Sequence, residues 1–368
     1  MVKDSKVDKI LISITALLTF FGLIMVYSST MILAKEKYGD SFFFLKKHLL
    51  WLAVGFILFA VIALLKYPLY LNHKLIFAAV FVAIVALILV FFAGKINNSF
   101  RWIKVMGFSV QPSEFAKIAI VLYLAYILGS KMDDVNNIGK LLLYLIPFFI
   151  MEILILKEPD VGSFLLILII LIFMLFAAGL KIRYFFSIAI FLAPIMYLVI
   201  KMNPEKMKRV LAFLNPEAHL TTYGFQTVQS IYAIGSGGIV GQGLGNSTQK
   251  LYFLPYAYSD FIFSVIGEEL GLLGALTVVA LFFIFLQRGL SVAKLSGSKQ
   301  AYLLVVGLTF LVVLQAMIHF SVALGLFPTK GIPLPFISNG GSSLLSSLII
   351  AGIIVNVSRH RRMVFVND

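Results

Sequence analysis

Asp260 is the residue whose type and setting most invite chemistry. It follows a glycine-rich polar stretch and Pro255, and it opens an apolar run that carries Glu268 and Glu269. Carboxylates are costly inside a bilayer and are usually kept there for a task. Asp260, Ser264 and Glu268 are spaced by four, which places them on one helix face descending ~12 Å. Ser259 is positioned to cap that helix, with Asp260 in its first turn. Gly267, Gly271 and Gly274 give the same helix a small-residue seam for close packing. Two readings of Asp260 stand side by side. One is an acid complementing the helix dipole. The other is a general base at the membrane boundary, whose acidity the helix end would strengthen and desolvation would weaken.

Other groups have the right types to work with it. Glu114 and Lys117 in Gln111-Pro112-Ser113-Glu114 are three apart on one helix face, either a structural ion pair or a pair that positions a substrate. Arg101 precedes Trp102 and Lys104 in the same region and can grip a phosphate bidentately, with Trp102 as an interface anchor. Glu158-Pro159-Asp160 reads as a tight turn in which Asp160 caps the following helix. The stretch from Pro333 through Ser338, Gly340, Gly341 and Ser342 enters the last apolar run. Its backbone N–H groups suit an anion at a helix N-terminus; equally, it suits a rigid loop with a cap. His319 reads as a packing hydrogen bonder rather than a ligand. The sequence has no HExxH, Walker A or βαβ-type GxGxxG motif, which argues against zinc hydrolysis, nucleotide use and dinucleotide binding.

The elements that must position these groups are membrane spans. Of 368 residues, 61% are hydrophobic and 12% charged, about half the charged fraction of a soluble domain. Ten apolar runs are long enough to cross: 10–33, 48–65, 74–93, 114–129, 141–157, 161–180, 184–200, 261–286, 301–325 and 341–357. The expected fold is all-α and polytopic, with both termini cytoplasmic and residues 1–368 forming a single membrane domain. Lys and Arg flanks such as Lys9, Lys131, Lys140, Arg288 and Arg359 favour the N-terminus inside. Residues 201–259 form one long extracytoplasmic loop that starts basic and turns glycine-rich, with a short amphipathic or re-entrant helix expected over 223–234. There are no cysteines, so disulfides and thiolate catalysis are excluded. The net charge of +14 has no soluble basic domain behind it, so it suits anionic headgroups or a phosphorylated lipid rather than nucleic acid.

The order RW, QPSEFAKI, EPDVG, QSIYAIGSGGIVGQGLGNSTQKLYFLP, SDFIFSVIGEELGLLG and PTKGIPLPFISNGGSSL resembles the shape, elongation, division and sporulation (SEDS) family over nearly the whole chain. Glu158-Pro159-Asp160 and Pro328-Thr329-Lys330-Gly331 look more like its FtsW branch than its RodA branch. The resemblance implies ten transmembrane helices and a peptidoglycan glycosyltransferase of the bacterial plasma membrane, acting on lipid II with undecaprenyl pyrophosphate as leaving group. It implies Asp260 as the catalytic acid-base residue. Arg101, Lys117 and Lys250 then become candidates for phosphate contact, Glu114 for holding Lys117, and Ser338, Gly340, Gly341 and Ser342 for substrate binding. A class B penicillin-binding protein is the implied partner, with other division or elongation proteins. A divalent cation, Mg or Mn, is the implied cofactor. A flippase for the same lipid, or a non-catalytic scaffold for the transpeptidase, is the alternative. The chain departs from the family pattern at Tyr256, where a Glu is usual, at Ser259 for Thr, and at Asn339 for Tyr.

Overall fold

The computed structural model describes residues 7–65, 71–94, 99–105, 108–131, 135–202, 204–220 and 223–360. Helices dominate because hydrocarbon offers no partner for a backbone N–H or C=O, so each span must satisfy its own. In chain order they are α1 (Lys9–Tyr38), α2 (Phe43–Leu64), α3 (His73–Leu89), α4 (Pro112–Tyr126), α5 (Ile138–Tyr144), α6 (Ile146–Lys157), α7 (Val161–Ala177), α8 (Ile182–Lys201), α9 (Pro204–Leu214), α10 (Tyr223–Ser236), α11 (Gln249–Tyr252), α12 (Ile262–Lys294), α13 (Lys299–Ala323) and α14 (Gly341–Arg359). Among the described residues, seven helices are long and apolar enough to span, and an eighth is reached if α5 and α6, bent by 52° at their junction, are taken as one span. The bend falls where Pro147 removes an interior N–H. α7 and α8 occupy the two remaining apolar runs.

Local signals set the boundaries. Asp8 caps α1 by accepting from Leu11 N at 3.1 Å, and Gly39 ends it in the left-handed region with its N–H on Lys35 O. Asp160 caps α7 as expected, accepting from Ser163 N at 3.2 Å. Ser298 caps α13 on Ala301 N at 3.1 Å. α4, α13 and α14 are buried on nearly every face and form the centre of the bundle, while α2 exposes most of its apolar residues. At one end Asp8 pairs with Arg288 at 2.6 Å, and its backbone N–H donates to Ser358, joining α1, α12 and α14.

The opposite end carries the longer connections. A hairpin of β1 (Ile103–Val105) and β2 (Phe108–Val110) precedes α4, and Phe108 packs edge-on against Trp51 of α2. Among the described residues, the 201–259 region holds three α-helices, α9, α10 and α11. α10 matches the short helix expected from sequence; α9 and the single turn of α11 are ones the sequence reading did not foresee. After α10, residues 237–243 lie against a break in α12 at Gly271 (φ 65°, ψ −163°), a conformation essentially confined to glycine. The polar groups around the break are satisfied across the contact: Gln242 N donates to Glu268 O, Gly243 N to Glu269 O, and Leu272 N to Gly238 O, at 2.9–3.0 Å. The expected small-residue seam is therefore a backbone-to-backbone joint. A Cβ on Gly237 would overlap the Gly267 carbonyl oxygen. Gly237→Ala is expected to cost about 1–3 kcal/mol of stability, read as a lower thermal midpoint in detergent. An unchanged midpoint would show that the joint is loose.

Candidate active site

Asp260 sits in a turn, not in a helix. Tyr256 adopts a left-handed conformation (φ 58°), and its carbonyl accepts from Ser259 N at 3.0 Å and Asp260 N at 2.9 Å. The loop before α14 grips this turn: Ser338 Oγ donates to Ser259 O at 2.6 Å and Asn339 N to Tyr258 O at 3.0 Å. These long-range bonds delay α12 until Ile262, and its N-cap, Phe261, makes no side-chain bond. This corrects the sequence expectation. Ser259 does not cap the helix, its hydroxyl donating instead to Tyr256 O at 3.4 Å, and Asp260 precedes the first turn. Burial pushes the Asp260 carboxyl up to about 6, against the lowering effect of Ser259, Arg209 and Arg101. Gly331 lies directly over it; a Cβ there would stand 3.1 Å from Asp260 Oδ2.

The turn forms one wall of a cavity of about 690 Å³. Arg101 enters from the segment before the hairpin and donates to the carbonyls of Glu158 and Pro159. Asp160 also lines the cavity, and its Oδ2 accepts from Ser163 Oγ at 2.8 Å and Gln111 Nε2 at 3.2 Å. α9 contributes Lys206 and Arg209, the latter donating to Thr329 O at 3.2 Å. Lys330 comes from the loop after α13; burial lowers its ammonium to about 8, Asp160 opposing and Arg209 and Lys206 adding to the fall. Gly340 and Ser343 close the cavity from the start of α14. Behind this wall Glu158 is fully buried, and neither carboxyl oxygen has a partner. Burial and Asp160 push it up to about 9, Arg101 opposing, so it is uncharged at neutral pH.

The other predicted site residues fall into two groups. Ser338 fastens the Asp260 turn, and Ser342 Oγ accepts from Gln111 N at 2.9 Å, so both build the wall. Gly341 lets Trp51 pack on the backbone, where a Cβ would collide with the indole. Glu114 and Lys117 lie one layer deeper, 2.8 Å apart, with 3% of each side chain exposed. Ser346 donates to Glu114 at 3.0 Å, Lys117 donates to Gln315 at 2.9 Å, and Gln315 donates to Pro333 O at 2.9 Å. This closed network carries the cavity floor and does not line it. Lys250 is not brought to the cavity at all. Its ammonium is 2.5 Å from Glu269 and also donates to Gly245 O and Ser28 Oγ. Glu268 faces away too, taking Ser247 Oγ, Thr248 N and Thr248 Oγ1 at the start of α11. His319 Nδ1 lies 2.8 Å from Ile332 O, a packing role as expected.

Sequence reasoning missed Lys206, Arg209, Thr329 and Lys330 as cavity residues. The basic run KMNPEKMKR was the available signal for the first two. A protein-built cation site does not fit the donors present. Asp160, Glu205 and Asp260 line the cavity, but among the described residues no three acidic or imidazole groups gather closely enough to hold an ion. A hard cation wants six or so oxygens, and Asp160 already spends Oδ2 on Ser163 and Gln111. Charge in this cavity is instead balanced by Arg101, Lys206, Arg209 and Lys330.

Fold and cavity together define a multi-pass helical membrane protein with a weakened acid among cations at one end of its bundle. The family described as cell cycle protein, FtsW/RodA/SpoVE, matches residues 8–363. The chain belongs to this family. It is 39% identical over 355 residues, 95% of this chain and 93% of the relative, to a probable peptidoglycan glycosyltransferase FtsW of Trichlorobacter lovleyi. It is 36% identical over 363 residues, 98% and 99% of the two chains, to stage V sporulation protein E of Bacillus subtilis. Among solved structures, RodA of Thermus thermophilus superposes with a TM-score of 0.71 at 23% identity, covering 97% and 98% of the two chains. A chain from a peptidoglycan synthase complex, in a study of coordinated polymerization and crosslinking, gives 0.79 at 24%, covering 97% and 99%.

Proposed function

We propose that the chain is a peptidoglycan glycosyltransferase of the bacterial plasma membrane that spans it ten times and polymerises lipid II at the outer face. The role is in division or the related septal and spore walls, given the named relatives. The observation that carries the reading is the Asp260 carboxyl, weakened by desolvation to about 6, in a cavity that also holds four cations. In the reaction, the acceptor sugar's 4-hydroxyl attacks the donor's anomeric carbon. Its proton passes to Asp260, the new glycosidic bond forms, and the bond to the diphosphate oxygen breaks. A base ionised near working pH suits the first event, and fixed positive charge suits the departing anion. The sealed floor favours chemistry over transport: a flippase needs polar access from both faces, and the Glu114–Lys117 network is buried and internally paired. A class B penicillin-binding protein is the proposed partner, supplying transpeptidation; the likeness to a chain of a synthase complex supports it.

The test is glycan chain formation from lipid II by purified protein, with and without a cognate transpeptidase and with and without chelator. Chains are expected with the partner present; none under any of the four conditions would end the reading. The rate should also carry the two titrations. Asp260 must be ionised to accept a proton, so kcat/KM rises with pH through about 6. Lys330 must be charged to hold an anion, so the rate falls again through about 8. A profile flat from about pH 5 to about pH 9 would remove both groups from the reaction.

A further inference from the structure

Two hydroxyls in the cavity are left without work by the base and the acceptor. Ser343 is 4% exposed and Thr329 5% exposed; both line the cavity, and neither side-chain oxygen has a hydrogen-bond partner. Buried polar groups are ordinarily paired, so an orphan hydroxyl on a residue that lines a cavity is a place where a ligand atom can supply the missing bond. They come from two segments, the start of α14 and the loop after α13. Ser343 stands in the first turn of α14, nineteen residues long, whose N-cap Gly340 has no side chain to satisfy the leading N–H groups. Thr329 accepts from the Arg209 guanidinium through its carbonyl, and the next residue is Lys330. Lys206 completes the group: Lys206 and Arg209 each make the Lys330 ammonium easier to deprotonate, the mark of cations crowded together. Gly331, next in the chain, abuts Asp260.

We propose that Ser343, Thr329 and the N-terminus of α14, with Lys206, Arg209 and Lys330, form a subsite for the diphosphate of a polyprenyl diphosphate, the group that departs in the transfer. This rests on the glycosyltransferase reading and says where its leaving group is held. A helix N-terminus with one hydroxyl suits one phosphoryl group. A second hydroxyl beside an arginine and a lysine suits another. The charge that three cations supply matches a diphosphate better than a monophosphate or a carboxylate.

The experiment uses the full chain in detergent with chelator present, and calorimetry with three probes: geranylgeranyl diphosphate, geranylgeraniol and inorganic pyrophosphate. The prenyl diphosphate is expected to bind. Ser343→Ala with Thr329→Val is expected to weaken it about tenfold, two charge-assisted contacts being lost, and to raise KM for lipid II more than it lowers kcat. Thr329→Ser, which keeps the hydroxyl, should bind as the parent does and guards against a fold defect in the double variant. Equal binding by parent and double variant overturns the subsite, as does binding of inorganic pyrophosphate without the prenyl diphosphate, which would mark a site for the free anion. The two readings fail separately. If chains form while the double variant binds normally, the subsite falls and the glycosyltransferase stands. If no chains form under any condition while binding drops in the double variant, the reverse holds.

Discussion

Asp260→Asn is expected to slow glycan chain formation by about 10²–10⁴-fold, the usual worth of a positioned general base. The fold should survive. Asn has the same volume, and the hydrogen bonds that hold the turn run through the backbone of Tyr256, Tyr258 and Ser259, not through the Asp260 carboxylate. Burial already disfavours the charged form, so a neutral amide removes a desolvation cost rather than adding one. The loss should therefore fall on kcat with the thermal midpoint held or raised. The acid limb near pH 6 should disappear from whatever activity remains. Asp260→Glu adds a methylene beside Gly331, where a Cβ would already stand 3.1 Å from the carboxylate, and moves the carboxyl from its place, so it should recover only part of the rate. Single-turnover measurement with lipid II and the partner decides the matter. Unchanged chain formation by the Asn variant would remove Asp260 as base.

The spans were legible in the sequence because the bilayer permits so little else. Each apolar run must be a helix, and the ends differ from the expected ranges by a few residues, apart from α12, which runs on to Lys294. Asp160 was legible as a cap because capping needs only three residues of context. The failures all have partners far away in the chain. Ser259 looked like a cap by the same local rule, but Ser338 and Asn339, some eighty residues on, take the carbonyls of Ser259 and Tyr258 and draw the chain into a turn. The glycines of α12 were read as a packing seam. That they also break the helix depends on residues 238–243 supplying the missing hydrogen bonds. The amphipathic character of α9 was present in KMNPEKMKR, yet only its tertiary placement turns Lys206 and Arg209 toward the acid. Tyr256, which stands where the family resemblance leads one to expect a Glu, lines the cavity as half-exposed aromatic surface, and its carbonyl does the work of holding Asp260. Its left-handed backbone is a demand the local sequence does not announce.

Lys250→Met is the second large effect, and it should fall on stability rather than on substrate. As a phosphate contact, Lys250 would raise KM when removed and leave the fold alone. The structure gives it a different task. The pair with Glu269 has 1% and 0% of its side chains exposed, and Ser28 Oγ completes the cluster at 2.6 and 2.7 Å from the two carboxylate oxygens. The three residues tie α1, α11 and α12 together beside the Gly271 break. Removing the lysine leaves a buried carboxylate with no counter-charge, which typically costs 3–5 kcal/mol by experience with buried pairs, about the whole margin of many proteins. Glu269→Leu alone should cost a similar amount by stranding the ammonium. The two together should recover most of the loss, because an apolar pair of similar volume needs no desolvation. Thermal unfolding of the four proteins in detergent closes the cycle, and KM for lipid II in the folded double variant separates the two roles. A parental KM there, with both singles unstable, assigns Lys250 to the framework and leaves Arg101, Lys206, Arg209 and Lys330 as the cations that meet the substrate. A raised KM in a stable Lys250→Met protein would bring Lys250 back to the site.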